Sequence, residues 1–361
     1  HLVSGWGAPL GIDLRADGVA AWLLLVTAGV GFAVMLYAPR YFAPTPCRAD
    51  DDAAHREKSF WPLFLFLWAA LNALFLSGDV FNLYVTLELV GLAAVALVAL
   101  AGTGAALTGA VRYLLVSLVG SASYLLGVAL LYGQAATLDI LALGAAVQPG
   151  ISTWVAMGAM FAGLTLKTAL FPLHFWLPGA HGAAPAPVSA LLSGLVVKAS
   201  FYLLLRLWLQ VFPVALPEPA QLLGVLGAAA ILWGSVQALR QERLKMLLAY
   251  STVAQLGYLF LIFPLSLTGA AQTAWLGVLV FIASHALAKS AMFLSAGNIL
   301  HHQGHDRVRE LDQVARREPV TLFAFGLAGI SLIGLPPSGG FVAKWLLIQA
   351  SIESGQWWWV L

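Results

Sequence analysis

Residues 80–101 read VFNLYVTLELVGLAAVALVALA, a run of 22 with one charged side chain, Glu88. A bilayer core of about 30 Å is crossed by roughly 20 apolar residues in helical conformation, so this stretch is long enough to span it. The alternation that marks an outer-membrane β-strand is absent, and the unbroken run from Leu92 to Leu100 suits a lipid-facing helix whose backbone bonds close internally. Glu88 therefore sits as a carboxylic acid inside an apolar helix.

Nine further stretches qualify on the same criterion. With residues 80–101 they predict ten spans, at about 19–38, 60–77, 80–101, 110–132, 149–176, 186–209, 219–239, 246–266, 272–299 and 320–351. Composition agrees: 61% of the 361 residues are hydrophobic and 9% charged, against about 45–50% and roughly 25% in a soluble domain. The expected fold is an all-α polytopic membrane protein forming one transmembrane domain, residues 1–361. A net charge of +2 with no basic stripe argues against a nucleic-acid partner. One cysteine, Cys47, allows no internal disulfide and no thiol-based metal site. His1 is not an initiator methionine, and the apolar run Trp357 to Leu361 stops abruptly, which reads as a segment of a longer chain.

Basic residues orient the bundle. Segments after odd-numbered spans hold Arg40, Arg48, Arg56, Lys58, Arg112, Arg240, Arg243, Lys245, Arg307, Arg309, Arg316 and Arg317, whereas the opposite side holds Arg15. Loops 39–59, 240–245 and 300–319 are therefore expected in the cytoplasm of a cell whose inner membrane carries the chain. The same count reads these residues as topology anchors.

Two spans carry helix breakers at membrane depth. The fifth contains Phe171-Pro172 and Leu177-Pro178; the tenth contains Gly334-Leu335-Pro336-Pro337-Ser338-Gly339-Gly340. Proline removes a backbone donor and clashes with the preceding turn, and opened backbone survives in a bilayer only where protein or a water-filled cavity covers it. Lys167 precedes the first break and Lys344 follows the second. Paired discontinuous helices point to a transport site; a packing kink is the alternative.

Five basic residues lie inside spans, Lys167, Lys198, Arg206, Lys289 and Lys344, and Glu88 is the one acid clearly inside. A charge at the centre of such a helix costs about 2.5–3.5 kcal/mol on insertion scales. Glu88 and Lys167 could form a pair whose separation changes protonation, or a structural ion pair. Lys198, His285, Lys289 and Lys344 could continue as a proton relay; His285 and Lys289, four apart, share a helical face. Arg206 lies near a span end and can reach headgroups. Asp79 reads as a helix N-cap. His174 and His181, near the first break, read either as proton entrances or as loop residues. His301, His302 and His305 fall in a connector, so no metal site is expected. The chain lacks a dinucleotide fingerprint, a phosphate loop and a cysteine cluster, so no cofactor is expected.

Phe171-Pro172-Leu173-His174-Phe175-Trp176-Leu177-Pro178, then Ala184-Pro185-Ala186-Pro187-Val188-Ser189-Ala190-Leu191 and Lys198, resemble the signature of the proton-translocating antiporter-like subunits. These are shared by respiratory complex I, membrane-bound hydrogenases and multi-subunit Mrp-type cation/proton antiporters. Leu244 to Thr252 and Gly334 to Lys344 resemble two further motifs, while Gly5 to Ile12 and Ser77 to Leu83 look most like the D-type subunit of the antiporters. The resemblance implies about fourteen helices in the family chain, of which this one matches the third to twelfth. It also implies inverted repeats, here residues 60–209 and an incomplete 219–361. Glu88, Lys167, Lys198 and Lys344 match the family's glutamate and lysines, and His285 and Lys289 fall on its connecting helix. Gly179-Ala180-His181 departs from the pattern, since relatives often carry an acid there.

The expected function is a proton-conducting subunit of a multi-subunit cation (Na⁺)/proton antiporter, a transporter rather than an enzyme, with Glu88, Lys167, Lys198, His285, Lys289 and Lys344 as gate and relay. Other membrane subunits, lipid and protons would be its partners, with Na⁺ as the candidate exchanged cation. The alternatives are the pump module of a complex I-like NADH:quinone oxidoreductase or membrane-bound hydrogenase, and a scaffold bundle that conducts nothing.

Overall fold

The computed structural model describes residues 11–43, 53–212 and 217–361. Cys47, Arg48 and the Gly5 to Leu10 part of the opening motif lie outside the described residues. The helices, in order, are α1 (Gly18–Phe42), α2 (Ala53–Leu76), α3 (Val80–Ala99), α4 (Gly104–Ala135), α5 (Ile140–Ala146), α6 (Ile151–Thr168), α7 (Leu177–Ala183), α8 (Ala186–Leu191), α9 (Val197–Arg206), α10 (Pro217–Leu239), α11 (Leu244–Phe260), α12 (Ile262–Leu265), α13 (Ala271–Gln303), α14 (Val314–Arg317), α15 (Pro319–Ile333) and α16 (Gly339–Glu353). Eight stretches among the described residues are long and apolar enough to cross a membrane. The expected fifth and tenth spans are not among them, because each is split in two.

Both splits follow local chemistry. α6 stops at Thr168, where Ala169 turns left-handed at φ +58° and Leu170 N–H closes back on the Thr165 carbonyl. That conformation costs an alanine about 1–2 kcal/mol, and it ends the helix just before Phe171-Pro172. Trp176 Nε1 then donates at 3.0 Å to the Leu166 carbonyl, which also accepts from Ala169 N–H at 3.2 Å. α15 ends at Gly334, left-handed at φ +89°, which a glycine adopts without that cost, and α16 restarts with Ser338 as its N-cap. Asp79 caps α3, accepting from Asn82 N–H at 2.7 Å.

A wide π-helical turn, Leu192–Val196, joins α8 to α9. Most of this continuous span is buried inside the protein on every side, and it carries Lys198 into the interior. The long α13 packs against α1, α8, α11, α15 and α16, and so forms the hub of the bundle.

Three placements differ from the sequence reading. Arg112 lies on α4, which starts six residues earlier than expected, at Gly104, because Thr103 caps it. Lys245 is not a loop residue: it is buried in the first turn of α11, its ammonium satisfied by the Ala184 carbonyl. His301 and His302 belong to the last turn of α13, and His302 Nε2 meets Glu318 Oε1 at 3.0 Å.

Candidate functional site: a buried chain of ionisable side chains

Glu88 points from the middle of α3 toward the broken end of α6. Lys167 Nζ lies 2.9 Å from Glu88 Oε1, and Ser121 on α4 donates to the same oxygen. Lys167 is buried, and its place in the last turn of α6 sets its charge at the negative end of that helix. Space for its stem comes from Gly120, where an added Cβ would lie 3.0 Å from Lys167 Cγ. A small gap lined by Lys167, Gly91, Ser117 and Ser200 separates the ion pair from α9. Next in sequence to Lys167, Thr168 donates to Ser200 on α9 at 2.9 Å.

Two residues before Ser200, Lys198 is buried and donates to the Ser193 carbonyl inside the π-helical turn. Such turns shift the ordinary i→i−4 ladder and are frequent at functional sites. The Ser193 hydroxyl meets Thr252 on α11 at 2.8 Å; Thr252 in turn donates to the Leu248 carbonyl at 2.9 Å. That carbonyl also accepts from Lys289 Nζ on α13 at 2.8 Å, and Lys289 donates to Ser251 as well. Lys198 and Lys289 are thus joined by polar contacts running through Ser193, Thr252 and Leu248.

His285 lies one turn from Lys289, stacked on Phe281, and neither ring nitrogen hydrogen-bonds any described residue. Lys344 stands apart from the chain of contacts. Its Nζ donates to the Leu332 and Ile333 carbonyls at 2.8 and 3.2 Å and sits 4.7 Å from the centre of the Tyr258 ring.

Of the secondary candidates, His181 is fully buried on α7 against Phe293 rather than in a loop. His174 stacks on Phe171 in the break. Arg206 does not reach outward: it is tied to Tyr202 Oη at 2.7 Å and to Asp17. Among the described residues no three His, Cys, Asp or Glu side chains group to hold a metal ion. Ser121, Ser193, Ser251 and Thr252 do not stand out in the sequence, although Ser251 and Thr252 close the motif that begins at Leu244.

Residues 77–361 match the family described as NADH:quinone oxidoreductase/Mrp antiporter, TM. NADH-quinone oxidoreductase subunit N of Desulforudis audaxviator is 39% identical over 362 residues, covering 99% of this chain and 70% of the relative. The D-type subunit of the Na(+)/H(+) antiporter of Bacillus subtilis is 30% identical over 359 residues, covering 98% and 70%. A chain in the structure of the Mrp complex from Dietzia sp. DQ12-45-1b superposes with a TM-score of 0.88 at 28% identity. The match takes in 99% of this chain and spans 64% of that one. The chain belongs to the NADH:quinone oxidoreductase/Mrp antiporter transmembrane family.

Proposed function

We propose that this chain is the proton-conducting membrane subunit of a multi-subunit cation/proton antiporter, working beside other membrane subunits in the plasma membrane. The observation that carries the reading is the Glu88–Lys167 ion pair at the end of a helix broken inside the apolar bundle. Together the two charges compensate each other; apart, each is stranded in a low dielectric, and neutralisation by proton transfer becomes the less costly state. Lys198, His285, Lys289 and Lys344 then pass the proton on, each charge shift altering its neighbours' proton affinity. The membrane field supplies about 2.3 kcal/mol per charge per 100 mV. Residues 60–209 and 219–361 act as two inverted repeats, a reading supported by each half carrying one broken span, the fourth of the spans expected from the sequence in each. The test is proton-coupled cation flux in vesicles holding the assembled complex: Glu88→Gln or Lys167→Ala abolishes it, and two assembled variants running at the unmutated rate would refute the gate.

A second reading, the pump module of a quinone-reducing respiratory complex, is favoured by the 39% identity to the NADH-quinone oxidoreductase relative. Purification with the native partners decides: iron-sulfur signals and quinone reduction support it, and cation exchange without either supports the antiporter.

A further inference from the structure

At the end of the bundle that bears the basic loops, a cavity of about 620 Å³ opens between α1, α4, α7 and α11. Four of the twelve basic residues expected on that side line it: Arg56, Arg112, Arg243 and Lys245. They come from three separate segments of the chain, α2, α4 and the start of α11, and His301 from the end of α13 joins them. Among the described residues no carboxylate lines it; Asp306, which Arg243 Nε contacts at 2.8 Å, lies outside the cavity. The first turns of α4 and α11 also open onto the space, adding the positive ends of two long helices. Arg56, Arg112, Arg243 and Lys245 thus converge on one concavity.

We infer that this cavity binds a phosphate-type anion, either the headgroup of an acidic phospholipid or a soluble phosphate. Guanidinium groups match phosphate oxygens in paired hydrogen bonds, and basic pockets between transmembrane helices on the cytoplasmic side hold acidic headgroups. Arg112, the arginine that α4 contributes, is solvent-exposed, so it can be exchanged without opening the core. The site is separate from the ion-pair gate, and its occupancy is read without measuring transport.

The test uses the full chain in neutral detergent, with its thermal unfolding midpoint followed by tryptophan fluorescence. The probes are dioctanoyl phosphatidylglycerol, inorganic phosphate and dioctanoyl phosphatidylcholine. The midpoint rises with phosphatidylglycerol, with phosphate or with both, and not with phosphatidylcholine; the active probe identifies the source of the anion. Arg112→Glu cuts the rise by more than half, while Arg309→Gln, on the same side but away from the cavity, leaves it intact. No rise with either anion, an equal rise with phosphatidylcholine, or equal losses in the two variants would overturn the proposal.

Discussion

Lys344, on α16, donates to the main-chain carbonyl of Leu332, 2.8 Å away in the last turn of α15. The bond crosses the break, so a cation on the restarted helix closes the end of the one that stopped. A hydrogen bond from a charged group contributes about 1.5–3 kcal/mol. Lys344→Met should lower the unfolding midpoint of the purified protein accordingly, and an unchanged midpoint would mean that Gln255, 3.3 Å from the same carbonyl, already satisfies it.

Ser121 and Lys167 share one oxygen of Glu88. Removing the hydroxyl leaves the ion pair but takes away a donor that favours the charged carboxylate. Ser121→Ala should slow proton flux in vesicles by roughly tenfold, the rate equivalent of a bond worth about 1.4 kcal/mol. Full-speed flux would exclude the hydroxyl from the gate.

Two glycines of α6 should respond with opposite signs. A Cβ at Gly163 would fall 2.2 Å from the Gly120 carbonyl on α4, a contact that backbone cannot relieve without moving a helix. Gly163→Ala should cost about 1–3 kcal/mol by overpacking. Gly158 has nothing within 4 Å of the same position, so Gly158→Ala should gain about 0.5–1 kcal/mol of helix stability. Paired unfolding curves check both signs.

Arg206 is held by Tyr202 and by the partly exposed Asp17 at the C-terminal end of α9. The arginine side is mostly buried, 11% exposed against 43% for Asp17, and it also donates to Tyr202, so losing the cation costs about 1–3 kcal/mol. Arg206→Gln should lower stability by that amount and leave flux in vesicles unchanged; a large flux loss would bring this arginine into the conduction path.

Much of this architecture is legible in the residues themselves. Phe171-Pro172 and the Gly334 to Gly340 run mark breaks because a proline deep inside a span removes a backbone donor and clustered glycine and proline favour a turn there, and Glu88 and Lys167 stand out because charge is costly in an apolar run. The connecting hydroxyls carry no such signal. Ser121 and Ser193 look like ordinary small residues in membrane helices, where serine packs closely without penalty. The π-helical turn at Leu192–Val196 has no compositional mark either. Lys245 reads as a loop residue because a lysine at a span boundary fits both a loop and a buried first turn, and only the approach of the Ala184 carbonyl decides between them.

The contacts between Lys198 and Lys289 pass through the Leu248 carbonyl, which accepts from both Thr252 and Lys289. Every amino acid supplies that oxygen, so an alanine scan of α11 would report at position 248 the lost packing of a buried leucine while leaving the junction's acceptor in place. Backbone chemistry, such as an amide-to-ester exchange, which weakens the neighbouring acceptor, is what would expose it. The position is constrained by where its peptide lies, and side-chain genetics is blind to that.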